Sequence, residues 1–362
     1  MIIAIAIIFF FLILRFAVTL FNFISDPKLR KVNRMHHDLV SILIPARNEE
    51  ANILNLLQSI EQQDYADYEV IVLDDDSSDQ TFAISQAFAA GNPRFRVIKG
   101  QPLEQGWLGK TYACHQLAQA AKGKYLLYLD ADEQIYDGLI NSAVHRISSK
   151  NLALLSLFTN QEMRSLGENA VVPLMHYILL NLLPIRLIYL AKNASLAAAS
   201  GQFMLFNAAT YHRHQWHQLS KSKVVEDVEI MKMVKGEGLK GESLLANGLI
   251  TCRMYTGYQE AINGFSKNFL APFNYSIPGF LFYLVLIIGG PLLVFATLNL
   301  QLILMMCGLI LLTRIMISLS SGQNAFYNSL LHPLQMLSLV FIGFFAIQNH
   351  LTNSTTWKGR RV

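Results

Sequence analysis

The apolar and polar positions along the chain divide it into three parts. Residues Ile2 to Ile24 form an apolar run whose one charge is Arg15, and at 1.5 Å per helical residue this run is long enough to cross a hydrocarbon core of about 30 Å. It lacks a basic leader and a small-residue cleavage site, so it reads as a retained anchor, residues 1–26. At the other end, three apolar stretches, about 279–297, 301–318 and 333–348, are separated by Asn299 to Gln301 and by the polar Ser320 to Asn328, and predict a membrane region over 269–350. Between them the pattern changes period. Leu39 to Ile44 reads as a strand stopped by Pro45, followed by a helix with Ile53, Leu56, Leu57 and Ile60 on one face. Tyr68 to Leu73 and Arg96 to Ile98 read as further strands, with a helix over Thr81 to Ala90 between them. A helix over Thr111 to Ala121 then leads into the strand Tyr125 to Leu129. Alternating strands and helices predict a mostly parallel sheet whose ligand crevice lies at the carboxyl ends of its strands.

Composition sharpens this division. Of 362 residues 52% are hydrophobic and only 15% charged, which excludes a disordered or wholly soluble chain, and a net charge of +4 gives no basis for nucleic-acid binding. From Phe269 to Thr356 the only formal charge is Arg314, whereas Lys28 to Lys267 carries an ordinary density of acids and bases. Lys28, Arg30, Lys31 and Arg34 directly follow the first apolar run and place the middle domain in the cytoplasm, at the inner face of the cell membrane. Four crossings would leave the basic tail, residues 351–362, outside against the same rule, so one stretch is expected to be re-entrant or interfacial. Val171 to Ala199 is apolar but interrupted by Pro173, His176, Pro184, Arg186 and Lys192, and reads either as helices in the membrane interface or as a buried core element. Cys114, Cys252 and Cys307 have no metal spacing and read as packing residues of a reducing compartment.

Three acidic clusters carry the candidate chemistry. Asp74-Asp75-Asp76-Ser77-Ser78-Asp79 follows a buried strand, where crowded carboxylates need donors or a cation, although Asp and Ser also build ordinary turns. Asp130-Ala131-Asp132 also follows a strand. Its two carboxylates, two residues apart in extended chain, share a side and suit Mg²⁺ or Mn²⁺ beside a diphosphate. Glu226-Asp227 opens a helical run and serves either as a base or as a cap. His212, His214 and His217 surround Trp216 but lack acidic partners, so a solvated or interfacial segment is the expectation there.

Taken in order, Ile44-Pro45-Ala46-Arg47-Asn48-Glu49-Glu50, the Asp74 to Asp79 loop, Asp130-Ala131-Asp132 and Glu226-Asp227 resemble the motifs of the family 2 inverting glycosyltransferases. That resemblance implies a GT-A fold, an α/β nucleotide-diphospho-sugar transferase domain over about 38–268, flanked by transmembrane helices. It also implies roles. Pro45, Arg47 and Glu49 line the nucleoside pocket, and Asp74 and Asp75 contact base and ribose. Asp132 holds the metal with Asp130 beside it towards the ribose, Lys110 of Gly106-Trp107-Leu108-Gly109-Lys110-Thr111 approaches the diphosphate, and Asp227 is the general base with Glu226 in reserve. Gln202 of Ser200-Gly201-Gln202-Phe203 belongs to the acceptor pocket. Asp76 stands where the family usually has Gly. A Gln-x-x-Arg-Trp motif of polysaccharide synthases is not evident, while Arg253-Met254-Tyr255, Gly264-Phe265-Ser266-Lys267 and His332-Pro333-Leu334 look like membrane enzymes acting on carotenoid acids or associated with hopanoids. The implied reaction moves a sugar from a UDP-linked donor to a lipid or isoprenoid acceptor. Alternatives are transfer to a polyprenyl phosphate, or a non-catalytic scaffold.

Overall fold

The computed structural model describes residues 1–352 and, beyond them, only the backbone of two short paired strands, Thr356–Trp357 and Arg360–Arg361. The expectation about the basic tail otherwise lies outside the described residues.

The centre is a seven-stranded sheet. Its strands are β1 (Val40–Ala46), β2 (Tyr68–Asp74), β3 (Phe95–Lys99), β4 (Tyr125–Leu129), β6 (Leu154–Phe158), β8 (Phe203–Asn207) and β9 (Gly241–Leu245), in the order β3-β2-β1-β4-β8-β6-β9. The remaining strands β5 (Glu133–Ile135), β7 (Asn160–Gln161) and β10 (Ile250–Cys252) form a small sheet, with β10 in the middle. The first four strands of the large sheet run parallel, as the βαβ pattern predicts, and β8 is antiparallel to both β4 and β6. Side chains alternate across β1: Ile42 and Ile44 face one buried cluster and Leu43 faces the other, so both faces of the sheet are covered. Truncating such a fully buried position, Leu43→Ala, costs about 2–5 kcal/mol.

Pro45 does not stop β1, which continues to Ala46. Pairing of β1 with β4 ends at Leu43, so Pro45 sits where β4 has already turned away and its missing N–H is not needed. On the other side the ladder with β2 continues to Ala46 and Asp74.

Four helices are long and apolar enough to cross a bilayer, Ile2–Ser25, Ile277–Ala296, Leu300–Ser321 and His332–Thr352, and they make this a membrane-associated protein. The first packs along Leu300–Ser321 and over the short helix Leu174–Leu182. Asn22 secures that contact by donating from Nδ2 to the Leu180 and Leu183 carbonyls, at 2.9 and 2.8 Å. Residues 171–199 contain Leu174–Leu182 and Arg186–Leu190, whose Leu174, Tyr177, Leu180 and Ile188 are buried in the core. The linker after the first helix is tied back to β9 through Leu29 N–H to Leu245 O and Leu245 N–H to Pro27 O.

The histidine segment departs only in part from the expected solvated or interfacial segment, since His212 is exposed and His214 half-buried. Trp216 and His217 are buried, Tyr211 Oη lies 2.7 Å from His217 Nδ1, and burial depresses the His217 imidazole to about 3. The aromatic residues around it recruit the imidazole into packing, which a polar-looking sequence conceals.

Candidate active site

Three strand ends converge. The carboxyl ends of β1 and β2 pair at Ala46 and Asp74, and β4 ends at Leu129, one residue before Asp130. Antiparallel β8 starts opposite Leu129, at Phe203, so the residues just before β8 lie against Asp130, whose N–H donates to the Gln202 carbonyl at 3.3 Å. A parallel strand would have delivered those residues to the opposite edge of the sheet.

The first two motifs are stitched to one another. Arg47 donates to the backbone carbonyls of Asp75 and Asp76, the latter at 2.9 Å, and Asn48 Oδ1 accepts the Ser78 N–H at 2.9 Å. Glu49 N–H donates to Thr81 Oγ1 at 2.7 Å. Asp74 and Asp75 are nearly buried, and Asp74 Oδ1 is a buried acceptor with no hydrogen-bond partner, suited to an incoming N–H or hydroxyl donor. Asp76 adopts a left-handed backbone, φ 57°, the conformation that glycine adopts at least cost; an aspartate tolerates it better than most residues.

Asp130, Lys110, Glu226, Asp227 and Gly201 meet in one place. Lys110 lies in the first turn of the helix Gly109–Ala120 and is not a solvated loop lysine: its Nζ is 2.5 Å from Asp130 Oδ1 and 4.0 Å from Glu226 Oε1. Burial alone would depress that ammonium, but the two carboxylates hold it above the ordinary lysine range. Glu226 and Asp227 open the helix Glu226–Gly236. Asp227 Oδ2 accepts the Gly201 N–H at 2.8 Å and Oδ1 accepts the Val228 N–H at 2.7 Å, so the side chain is oriented by two amides. Burial raises the Asp227 carboxyl although those amides and Lys110 oppose it, and burial pushes Glu226 up to about 7. Gly201 was not singled out by the sequence as a site residue. A Cβ there would stand 3.3 Å from Lys110 Nζ, 3.5 Å from Glu226 Oε1 and 3.6 Å from Asp227 Oδ2, so its missing side chain leaves the space between them.

Asp132 occupies the other side of Asp130. Burial, then Asp130 and Glu49, push its carboxyl up to about 6. Asp132, Glu133 and Cys252 each offer a ligand atom, all within 4.8 Å of one another, the one such group of three among the described residues. Both Glu133 oxygens are buried without a hydrogen-bond partner, and Cys252 Sγ is 3.4 Å from Asp132 Oδ2. The two carboxylates are hard oxygen ligands of the kind that suit Mg²⁺ or Mn²⁺, whereas the thiol is a soft ligand that burial keeps protonated. Cys252 therefore packs directly against Asp132. Its placement comes from the antiparallel pairing of Cys252 with Glu133 across β10 and β5, which no local spacing reveals. Gln202 is buried with Oε1 accepting from Thr159 Oγ1 at 2.8 Å, so its side chain faces β7 and its backbone faces Asp130. The motifs around Tyr255 and Gly264 also meet. Gly264 lies so flat against the Tyr255 ring that a Cβ would fall 2.2 Å from it, and Tyr255 and Phe265 stack edge-on at 5.4 Å.

A mostly parallel sheet with paired acids at its strand ends is the architecture of the GT-A fold. The whole molecule superposes on a mannosyltransferase from Pyrobaculum calidifontis, solved in complex with GDP-Man and Mn²⁺, with TM-score 0.57 and 15% identity, covering 97% of this chain and 100% of the other. Residues 41–211 match the family described as Glycosyl transferase family 2. Among named relatives, 4,4'-diaponeurosporenoate glycosyltransferase of Staphylococcus haemolyticus is 26% identical over 281 residues, 73% of this chain and 69% of that protein. Its counterpart in Staphylococcus aureus strain MRSA252 is 26% identical over 256 residues, 69% of this chain and 65% of that protein. Residues 41–211 therefore carry a family 2 glycosyltransferase domain, and the protein is an enzyme.

Proposed function

We propose that this enzyme transfers a sugar, with inversion, from a UDP-linked donor to a lipid-soluble isoprenoid acceptor of the carotenoid type, its catalytic domain facing the cytoplasm. The observation that carries the reading is the meeting of Asp227, Glu226 and Lys110 around the space left by Gly201, with Lys110 paired to Asp130. The acceptor class is supported by the names of the two relatives and by the apolar helices packed on the domain.

In this reading Asp74 and Asp75 receive the base and ribose, with Pro45, Arg47 and Glu49 forming the pocket wall. Lys110 is drawn from Asp130 and Glu226 towards the diphosphate, a point charge on phosphate oxygen. Asp227, held by the Gly201 and Val228 amides, takes the acceptor's proton as its oxygen attacks the anomeric carbon and the C–O bond to the nucleoside diphosphate breaks. Asp132, with Glu133 and Cys252 behind it, is the place for Mg²⁺ or Mn²⁺, which when bound neutralises the departing diphosphate. One carboxylate base suffices, unlike glycoside hydrolysis with its flanking pair.

The test is incubation of the purified protein with a panel of nucleotide sugars, Mg²⁺ or Mn²⁺ and total membrane lipid, with mass spectrometry of the lipid fraction. A sugar-bearing lipid and metal-dependent UDP release, both lost in Asp132→Ala, are expected. No labelled lipid with any donor would defeat the acceptor assignment.

A further inference from the structure

Of the four long apolar helices, His332–Thr352 is the one held by the catalytic domain from end to end. His332 stands edge-on to Tyr177 at 5.7 Å, in a groove it shares with Arg15 and Leu12. Arg15 lies ten residues before Ser25, the domain-side end of its helix, which is about 15 Å into the apolar layer. The helix therefore starts below the domain surface.

It then travels back. Gln335 Nε2 donates to the Asn169 carbonyl at 2.9 Å, and Ser338 Oγ is 3.2 Å from Tyr258 Oη. Gly343 lies against the Phe280 ring, near the domain-side end of Ile277–Ala296. Asn349 Nδ2 donates to Ser266 Oγ at 3.3 Å, and His350 stacks on Tyr275 at 5.8 Å. Tyr275 immediately precedes that neighbouring helix, so the end of His332–Thr352 lies at its domain-side end. A crossing helix would instead carry its last turns about 30 Å from where it entered, to the opposite surface.

We propose that His332–Thr352 does not cross the membrane: it enters to the depth of Arg15 and leaves on the catalytic side. Its outer face, Leu337, Phe341 and Phe344 at helical spacing, is 51%, 45% and 63% exposed and wholly apolar, and Leu281 and Phe282 of the adjacent spanning helix are exposed as well. Its occupant is the acyl layer of the catalytic-side leaflet, which covers the same surface on the neighbouring helices. Three helices then cross, and the chain leaves the membrane after Thr352 on the same side as Lys28 to Arg34, as the charge rule expects for a basic tail. The inference rests on the reading that the other three apolar helices sit in a bilayer.

Sidedness tests it. In a Cys307→Ser background, where the remaining Cys114 and Cys252 are buried, single cysteines are placed as Thr352→Cys, as Ser148→Cys on the catalytic domain, and as Leu298→Cys in the turn between two spans, where Leu298 is 87% exposed. Right-side-out and inverted vesicles are labelled with a membrane-impermeant maleimide. Labelling of Thr352→Cys and Ser148→Cys from the same face, and of Leu298→Cys from the other, each with at least about tenfold preference, is expected. Labelling of Thr352→Cys together with Leu298→Cys overturns the proposal. Labelling of Ser148→Cys and Leu298→Cys from one face would instead overturn the membrane frame. Should Thr352→Cys react from neither face, a phosphatase that is active only outside the cell, fused after Val362, decides: it is expected to be inactive, and an active fusion refutes the proposal.

Discussion

Replacing Asp227 by asparagine keeps the shape of the side chain and removes its ability to take a proton. In the native site both carboxylate oxygens accept amide N–H groups, from Gly201 at 2.8 Å and Val228 at 2.7 Å. Asparagine has one acceptor oxygen, so its NH₂ must face one of those N–H donors, leaving a buried donor unsatisfied at a cost of about 1–3 kcal/mol in stability. The chemical loss is separate and larger. A positioned general base contributes on the order of 10²–10⁴-fold, and burial raises the Asp227 carboxyl, making it a stronger base than an exposed aspartate. The expected result is a kcat lower by about that factor, with the donor KM changed by less than about threefold, in an assay that follows UDP release at saturating lipid acceptor. Thermal melting of the same samples measures the stability term separately. A folded Asp227→Asn enzyme with turnover within about threefold of wild type would refute the base assignment. It would favour an acceptor that arrives already ionised, such as a polyprenyl phosphate. If Glu226→Gln showed the large loss instead, the base would be Glu226.

Three further outcomes follow from the same cluster. Lys110→Met leaves Asp130, Glu226 and Asp227 in one cleft without the ammonium now 2.5 Å from Asp130, so UDP affinity measured calorimetrically should fall by about 10–100-fold; an unchanged Kd would remove Lys110 from the diphosphate site. Glu226 has a folded-state pKa raised to about 7 by burial, so the stability it lends is present below the ordinary glutamate value and lost as pH rises through 7. Metal-free wild type should lose up to about 3 kcal/mol between pH 5 and 8 in urea titrations, and Glu226→Gln should flatten that slope; parallel slopes would contradict it. Gly201→Ala puts a methyl 3.3 Å from Lys110 Nζ and 3.6 Å from Asp227 Oδ2, and should lower kcat by about tenfold or more with UDP binding retained, whereas normal turnover would show that nothing needs that space.

Much of the fold was legible because its signals are local. A strand such as Tyr125–Leu129 is five consecutive buried residues ended by Asp130, and Thr81–Ala90 forms over the residues its pattern predicts. The acidic clusters were legible for the same reason: carboxylates at the ends of buried strands are conspicuous in one dimension. What was not legible depends on partners distant in sequence. Gly201 reaches Asp227 because β8 runs antiparallel to β4, and Cys252 reaches Asp132 through a strand 120 residues away. The burial of His217 likewise depends on Tyr128 and Tyr211 closing around it.

The membrane part was legible only as missing charge, and its two exceptions explain how the domain is seated. Arg15 and Arg314 come from different apolar helices, and both guanidinium groups lie over the ring of Tyr177, at 5.5 and 4.5 Å. Tyr177 belongs to Leu174–Leu182, the segment whose pattern allowed either an interfacial or a core position. A guanidinium in hydrocarbon is costly unless it is held by a partner, and here Arg15 donates to Tyr177 Oη at 2.6 Å while Arg314 donates to Gln335. The cations therefore bind the catalytic domain to the apolar helices through one aromatic ring, and the domain is docked rather than tethered. That contact also lets His332–Thr352 start beside Tyr177 and end beside Tyr275, so the arginines that look anomalous in an apolar sequence mark where the apolar helices meet the α/β domain.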